Sequence, residues 1–344
     1  MKKKTSLKDI AQQVGVSTAL VSYVLNNQKE GRISKEVAQK IRDTAQELNY
    51  SPNQVAKSLK TSKTFTIGLI VADIANPFFS SLARIIEDDA EKSNYTVLFG
   101  SSDESAEKSW KLIQVFLNRQ VDGLIIASAA NTASHINYLQ EQEIPFVLID
   151  RYFPELPTNY VAIDNYQAAI SAVKHLLKNG YCRISLITFN TTLFHLQERK
   201  RGYLTALQDN NLPENHSWIK ELTINDSPQA VEKAIDELLA LPQPTDAILF
   251  SSNTLSTMGL KYINSLPLKV PDDLAIVSFD ESDVSYLFYA PITHIKQPLK
   301  EMGQKALKIL LDNIAKNQAV TGINLPTDLI IGKSTWRISQ EPNQ

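Results

Sequence analysis

Residues 6–26 read SLKDIAQQVGVSTALVSYVLN, and this segment predicts the fold of the N-terminal part of the chain. Ser6 with Asp9 predicts a capped helix start. Gly15 permits a tight turn, and Ser17 can cap a second helix. Apolar residues recur at helical spacing on one face of each segment: Leu7, Ile10, Ala11 and Val14 in the first, and Leu20, Val21, Val24 and Leu25 in the second. Two short helices joined by a glycine turn form a helix-turn-helix.

A third helix is predicted after a polar loop. Ser34 caps it, and its inward-facing residues are Val37, Ile41, Ala45 and Leu48. The three helices close a core of about 50 residues, which is marginal by itself. In a helix-turn-helix the second helix enters the major groove of DNA, and its N-terminal residues reach base edges. The candidates for these contacts are Thr18, Ala19, Ser22 and Tyr23.

Charge is unevenly divided along the chain, whose formal net charge is −2. Residues 1–63, the head, contain 12 Lys and Arg against 5 Asp and Glu, whereas the remainder contains 23 against 32. A basic head on an acidic body indicates that the head meets a polyanion. Solvated lysines alone would also make a head basic, so the assignment to nucleic acid depends on the motif.

The composition is that of a soluble protein with several domains. A chain of 344 residues with 43% hydrophobic content can bury two or three cores. The basic start Met1-Lys2-Lys3-Lys4 is not followed by an apolar segment, so no secretory signal is expected. No run approaches the roughly 18 apolar residues that span a bilayer, and the single Cys182 cannot form an intramolecular disulfide. We therefore expect a cytoplasmic protein without a membrane partner.

From Thr64 onward the chain alternates between apolar strands and amphipathic helices. Strands are predicted at 67–71, 95–99, 123–127 and 146–149, and a second series near 183–188, 246–251 and 274–279. Continuous apolar strands between helices are typical of doubly wound parallel sheets, whose two faces are both covered. The predicted fold is an all-α headpiece followed by a two-lobed α/β core, with a cleft between the lobes.

Polar residues follow the predicted strands, at the ends where open α/β sheets bind their ligands. They are Asp73, Asn76, Ser101, Asp103, Ser128, Asp150, Arg151, Thr188, Asn190, Asn253 and Asp280. A single polar residue at such a position is usually a helix cap. Several amide and carboxylate groups at one cleft, however, suit a polyhydroxylated ligand.

Four runs of the head form a wider pattern: LKDIA (7–11), GVS (15–17), VSYVLN (21–26) and LNYSPN (48–53). Together with Ala56 and Leu59 they resemble the DNA-binding headpiece of the LacI/GalR family. The resemblance implies DNA contacts from Ser6, Ser17, Thr18, Ala19, Ser22, Tyr23, Asn26, Asn53, Ala56 and Leu59. Tyr23 departs from the Arg of many members, and a tyrosine cannot make a bidentate guanine contact.

Residues 52–61 are similar to the family's hinge helix. In that helix the leucine matched by Leu59 wedges into the minor groove, and the cost of unstacking a base step is offset by contacts to the bent duplex. The alternative is that Val55 and Leu59 are ordinary core residues, four positions apart on one helical face.

Three motifs of the body, Asn76-Pro77-Phe78, VLID ending at Asp150, and Arg199-x-x-Gly, point the same way. Residues 65–338 resemble the family's effector-binding core, which is related to periplasmic sugar-binding proteins. The resemblance implies effector contacts from Asp73, Asn76, Phe78, Ser101, Asp150, Arg199, Asn253, Phe279 and Asp280. Thr254 stands where many members carry Asp. Candidates for stacking on a sugar face are Phe78, Phe194 and Phe279, each of which could equally be a core residue.

The strand pattern and the resemblance divide the chain into four parts. The helix-turn-helix occupies 1–50, the hinge helix and linker 51–63, the first lobe 64–164 with 295–323, and the second lobe 165–294 with 324–344. The chain would then cross between the lobes three times, an arrangement that permits hinged closure.

These features predict a sequence-specific transcriptional regulator. We expect a repressor whose binding to palindromic operator DNA is controlled allosterically by a small molecule, most simply a sugar. A homodimer is expected because two heads read two half-sites. Nucleobases are the alternative ligands, and corepression or activation the alternative kinds of control. The alternative protein class is a small-molecule-binding protein without DNA function, which leaves the head unexplained.

An enzyme is not expected. The histidines are scattered without the spacing of a metal site, at positions 135, 175, 195, 216 and 294. The sequence contains no Gly-x-Ser-x-Gly elbow and no phosphate-cradling glycine-rich loop. No cofactor and no metal ion are predicted.

Overall fold

The computed structural model describes residues 5–26, 33–50, 63–213, 215–224, 226–315 and 319–336. The chain divides into two compact units, Met1–Thr64 and Phe65–Gln344, which correspond to the head and the body. The predicted hinge residues Asn53, Ala56 and Leu59 lie outside the described residues.

The described part of the head contains the helices α1 (Leu7–Val14), α2 (Thr18–Leu25) and α3 (Lys35–Glu47). The predicted capping box forms at α1, where Ser6 N donates to Asp9 Oδ2 (2.8 Å) and Asp9 N donates to Ser6 Oγ (3.4 Å). Gly15 ends α1 in the left-handed conformation, with φ 79°. The buried core comprises Ile10, Ala11, Val21, Val24, Ile41 and Ala45. The helix-turn-helix predicted from the sequence is therefore present.

The body consists of two α/β lobes. Its chain begins with β1 (Thr66–Val71), α4 (Pro77–Lys92), β2 (Thr96–Ser101), α5 (Ala106–Asn118), β3 (Gly123–Ile126), α6 (Ala133–Glu141), β4 (Phe146–Ile149) and β5 (Tyr160–Ile163). It continues with α7 (Asn165–Lys178), β6 (Ile184–Phe189), α8 (Phe194–Asp209), β7 (Ile219–Leu222), α9 (Pro228–Leu239), β8 (Ala247–Phe250), α10 (Asn253–Ile263), β9 (Ala275–Phe279) and α11 (Asp283–Leu287). It ends with β10 (Thr293–Lys296), α12 (Leu299–Ile314), β11 (Gly322–Leu325) and β12 (Asp328–Ile330).

The two sheets have the same strand order but differ in the direction of one edge strand. The first has the order β2-β1-β3-β4-β5-β11 and is parallel throughout. The second has the order β7-β6-β8-β9-β10-β12, and only its edge strand β12 is antiparallel. The predicted fold class, two lobes with doubly wound parallel sheets, is confirmed.

Helices cover both faces of each sheet, which explains why central strands such as β1, β3, β4 and β8 are apolar along their whole length. Two hydrophobic clusters sandwich the first sheet, with Leu69 and Val147 in one and Ile70 and Leu148 in the other. Alternate residues of one strand thus enter opposite cores, as the period of a β-strand requires. The second sheet is sandwiched in the same way.

Towards the end of the chain, the lobes are joined at residues 297–298 and 326–327. The sequence analysis placed residues 295 and 296 in the first lobe, but β10 pairs with β9 and keeps them in the second sheet. It placed residues 324 and 325 in the second lobe, but β11 pairs with β5 and keeps them in the first sheet. Among the described residues, no helix is both long and apolar enough to cross a membrane.

Candidate functional site

Seven of the nine effector-contacting residues predicted from the sequence line one cavity between the lobes of the body. They are Asp73, Asn76, Phe78 and Asp150 of the first lobe, and Arg199, Asn253 and Asp280 of the second. The cavity measures about 680 Å³ including its open mouth. It lies at the carboxyl ends of the parallel strands, where open α/β sheets bind ligands.

Arg199, on α8, is held rigidly at the back of this cavity. Its Nε donates to Asn165 Oδ1 (2.8 Å), and its Nη1 donates to the Ser251 carbonyl (2.7 Å). The guanidinium carbon lies 4.0 Å from the centre of the Phe279 ring. A planar cation fixed by hydrogen bonds and an aromatic face presents a defined donor geometry to a ligand.

Asp150 and Asp280 occupy corresponding places in the two lobes, directly after β4 and β9. Both have left-handed backbones, with φ 66° and 71°, a conformation that costs a residue other than glycine of the order of 1 kcal/mol and is often found at ligand clamps. Burial raises the pKa of Asp150 to about 6, although the charges of Arg151 and Arg199 oppose the rise. Asp280 accepts a hydrogen bond from Gln297 Nε2 (2.6 Å).

Arg151 lies in the same cavity but was not among the predicted effector contacts. Its two terminal nitrogens each lie 2.7 Å from an oxygen of Glu104, and Nη1 also donates to the Ser128 carbonyl (3.2 Å). Its Nε is 3.5 Å from Asp150. The pair with Glu104 could not be predicted from local sequence, because 47 residues separate the two partners.

His195, in the first turn of α8, is a further lining residue that sequence reasoning missed. Burial, followed by the positive charges of Arg151 and Arg199, places its pKa well below the ordinary value for histidine. Its Nδ1 has no hydrogen-bond partner among the described residues. The cavity therefore contains a neutral imidazole with one free polar atom.

Asn76 and Asn253 join the two lobes through their side-chain amides. Asn76 Nδ2 donates to Asn253 Oδ1 (3.1 Å), and Asn253 Nδ2 donates to Asn76 Oδ1 (2.8 Å). Asn76 Oδ1 also caps α4 by accepting from Phe78 N (3.0 Å). This reciprocal pair, the amide bridge, links the amino ends of α4 and α10 across the cleft.

Two predicted effector contacts do not line the cavity. β2 extends to Ser101, whose hydroxyl accepts from Ile74 N (3.1 Å) and donates to Asp103 Oδ1 (2.5 Å). Phe279 ends β9 with its ring fully buried beneath Arg199. Neither residue therefore lines this cavity, and Phe279 instead supports Arg199 from below.

In the head, the predicted base-reading residues lie on α2. Thr18 and Ala19 are exposed, whereas Ser22 and Tyr23 are half-buried. Ser17 caps the helix by accepting from Leu20 N (3.2 Å), and Asn26 closes it through a hydrogen bond from Nδ2 to the Ser22 carbonyl (2.8 Å). The amino end of α2 thus presents small polar side chains to solvent, as a recognition helix does.

Two family models match the chain. Residues 6–53 match bacterial regulatory proteins of the lacI family, and residues 64–331 match periplasmic binding proteins and the sugar-binding domain of the LacI family. The HTH-type transcriptional regulator DegA of Bacillus subtilis is 32% identical over 96% of this chain and 98% of its own length. The ribose operon repressor of Halalkalibacterium halodurans is 33% identical over 96% and 97%.

Solved structures agree with these matches. A lac repressor dimer bound to operator and the anti-inducer ONPF has the same fold, with a TM-score of 0.85 at 23% identity over 97% of this chain and all of that chain. A putative ribose operon repressor from Burkholderia thailandensis has a TM-score of 0.71 at 27% identity, over 77% of this chain and 98% of that chain. Proteins of this kind are DNA-binding regulators and not enzymes. The chain belongs to the LacI family of bacterial transcriptional regulators.

Proposed function

We propose that the protein is a repressor whose affinity for operator DNA is set by a neutral sugar bound in the cavity of the body. The observation that carries the choice of ligand is the charge of the cavity wall, where the two arginines 151 and 199 face the four carboxyl groups of Asp73, Glu104, Asp150 and Asp280. An excess of carboxylates repels phosphorylated or carboxylated ligands. Hydroxyl groups, in contrast, can donate to the carboxylates and accept from Arg199.

The names of relatives support a sugar, since one is a ribose operon repressor. Other relatives are named repressor PurR, so the family resemblance alone does not choose between sugars and nucleobases. The carboxylate-rich wall favours a ligand that donates many hydrogen bonds, as a polyol does. We therefore choose the sugar.

In this proposal two copies of the chain bind a palindromic operator in the cytoplasm. Thr18, Ala19, Ser22 and Tyr23 of α2 read bases, while the Lys and Arg residues of the head supply salt-dependent affinity for phosphates. Leu59 enters the minor groove at the operator centre. We expect Leu59→Ala to weaken operator binding more than non-specific binding, whereas equal losses would mean that Leu59 only packs the hinge.

Dimerisation allows the two heads to bind the two half-sites of one operator together. Exposed apolar side chains of the second lobe, Tyr286, Leu287 and Tyr289, offer a surface that we expect the partner to cover. The spacing of the two hinges would then depend on the closure of the lobes. A sugar that favours one degree of closure shifts operator affinity, and a complete switch from 1:99 to 99:1 needs about 5.5 kcal/mol of differential binding.

The experiment is a selection of random DNA duplexes by the full-length protein, followed by release with sugars. A palindrome with half-sites one helical turn apart, released by a neutral sugar but not by its phosphate, would support the proposal. Strengthened binding on adding the sugar would indicate corepression instead. A protein lacking residues 1–61 is the control, and equal enrichment by that control would refute DNA reading by the head.

A further inference from the structure

A second cavity, which we call the outer cavity, adjoins the one described above. It measures about 440 Å³ including its mouth, and it is formed by the loops after β3 and β4 and by the amino end of α8. Arg151 lines both cavities and separates them. The first lobe supplies Tyr152 and Ser128, and the second supplies Phe194 and Gln197.

The wall of the outer cavity is aromatic on both sides of the cleft. Tyr152 stacks on Tyr160 with ring centres 3.9 Å apart and planes 2° from parallel. The ring centre of Phe194, from the opposite lobe, lies 5.2 Å from that of Tyr152, with the two ring planes at 67°. Both rings are only half-buried, so each keeps apolar surface accessible to a ligand. Rigid aromatic faces at the mouth of a polar pocket suit the apolar face of a sugar ring.

The polar groups of the outer cavity are mostly neutral, and the two charged residues that line it are Arg151 and Glu155. Ser128 is 1% exposed, and its Oγ has no hydrogen-bond partner among the described residues. Gln197 and Asn131 are exposed amides that also line the wall. The charge of Arg151 is already matched by Glu104 at 2.7 Å. A buried hydroxyl that lacks a partner points to a ligand with hydroxyl groups of its own.

We propose that the outer cavity is a second sugar subsite, and that the effector is a neutral sugar of two or more linked rings. One ring occupies the inner cavity beside Asp150 and Arg199, and the next lies against Tyr152 and Phe194. Ser128 bonds a hydroxyl of this outer ring. The inference rests on the proposed function, because it extends the site for a neutral sugar, but it can fail without that function failing.

The test is calorimetric titration of the full-length protein with single sugars and their linked pairs. The probes are glucose with maltose and cellobiose, galactose with melibiose and lactose, xylose with xylobiose, and ribose alone. We expect one disaccharide to bind at least about tenfold more tightly than its single sugar, because one stacked ring with one hydrogen bond increases affinity by about that factor.

Two variants separate the subsites. Phe194→Leu and Gln197→Ala should each weaken the linked sugar about threefold to tenfold and leave the single sugar unchanged. Gln208→Ala is the matched control, because Gln208 is an exposed glutamine near the other end of α8. Urea unfolding of each variant confirms that the fold is intact, and the exposed Gln197 provides a test that barely affects packing.

Each outcome decides the inference. The second subsite would be overturned if no linked sugar bound more tightly than its single sugar, or if ribose were the only probe that bound. The sugar-controlled function would stand in both cases. Equal losses for single and linked sugars in both variants would also overturn it. If none of these sugars binds, the neutral-sugar function is refuted, and the second subsite with it.

Discussion

Replacing Asp150 by Asn should stabilise the body at neutral pH, because Asp150 is a buried carboxylate whose pKa is raised from 3.8 to about 6. Each pKa unit corresponds to about 1.4 kcal/mol, so ionising Asp150 costs the folded state about 3 kcal/mol relative to the unfolded chain. The sign follows from the direction of the rise. The stability that the neutral carboxyl contributes is complete below pH 3.8 and is lost as the pH rises through 6.

Urea unfolding of full-length protein between pH 4 and 8 measures this effect. Fluorescence reports on the body alone, since the three tryptophans are Trp110, Trp218 and Trp336. Relative to the Asp150→Asn variant, the wild type should lose about 2 kcal/mol between pH 4 and 7 and then remain level. Glu301→Gln, at an exposed carboxylate on α12, is the control and should follow the wild type.

The same variant should bind the effector less well. A hydrogen bond to a charged group contributes about 1.5–3 kcal/mol, so Asp150→Asn should weaken sugar binding by about 10-fold to 150-fold. Operator binding in the absence of sugar should be nearly unchanged. Parallel pH profiles for the wild type and the Asn variant would show that Asp150 ionises without penalty, and the reasoning about a costly buried carboxylate would be wrong.

Three further predictions concern the other parts of the mechanism. Arg199→Lys keeps the charge but cannot make both bonds of the guanidinium, so effector affinity should fall about 10-fold to 100-fold while operator affinity stays constant; an unchanged titration would remove Arg199 from the site. Asn253→Ala breaks the amide bridge and should increase the radius of gyration measured by X-ray scattering without effector, and identical curves would contradict this. Ser17→Ala removes the cap of α2 and should lower the stability of the head by about 1 kcal/mol. It should weaken operator binding more than the control Ser34→Ala, which removes the cap of α3. Equal losses of operator affinity would argue against a DNA contact from Ser17.

The sequence predicted the fold well because local signals and tertiary structure agree in this chain. Ser6, Gly15 and Ser17 act as the caps and turn that their chemistry indicates. Long apolar runs marked the central strands, which are buried on both faces. Five strands were not predicted. The edge strands β7, β11 and β12 contain exposed or half-buried residues and carry no such signal. The central strands β5 and β10 were also missed, because β5 has only four residues and β10 contains Thr, His and Lys instead of an apolar run.

The cavity was predicted less completely, for two physical reasons. Strand ends identified Asp150 and Asp280, but a shift of one residue decides whether a side chain enters the cavity or the core, and Phe279 falls on the core side. The contributions of Glu104 and His195 depend on contacts between distant segments. Spacing along the chain carries no information about such contacts.

The last two strands of the chain, β11 and β12, join different sheets, and this affects folding during synthesis. During synthesis, β5 at residues 160–163 emerges long before its partner β11 at residues 322–325. The first lobe also waits for α12, which packs against β3 and β4 and contributes Met302, Ala306 and Leu310 to its core. Neither lobe can therefore be completed until nearly the whole body has left the ribosome, and a chain that stops near residue 319 would expose an unpaired sheet edge in both lobes at once.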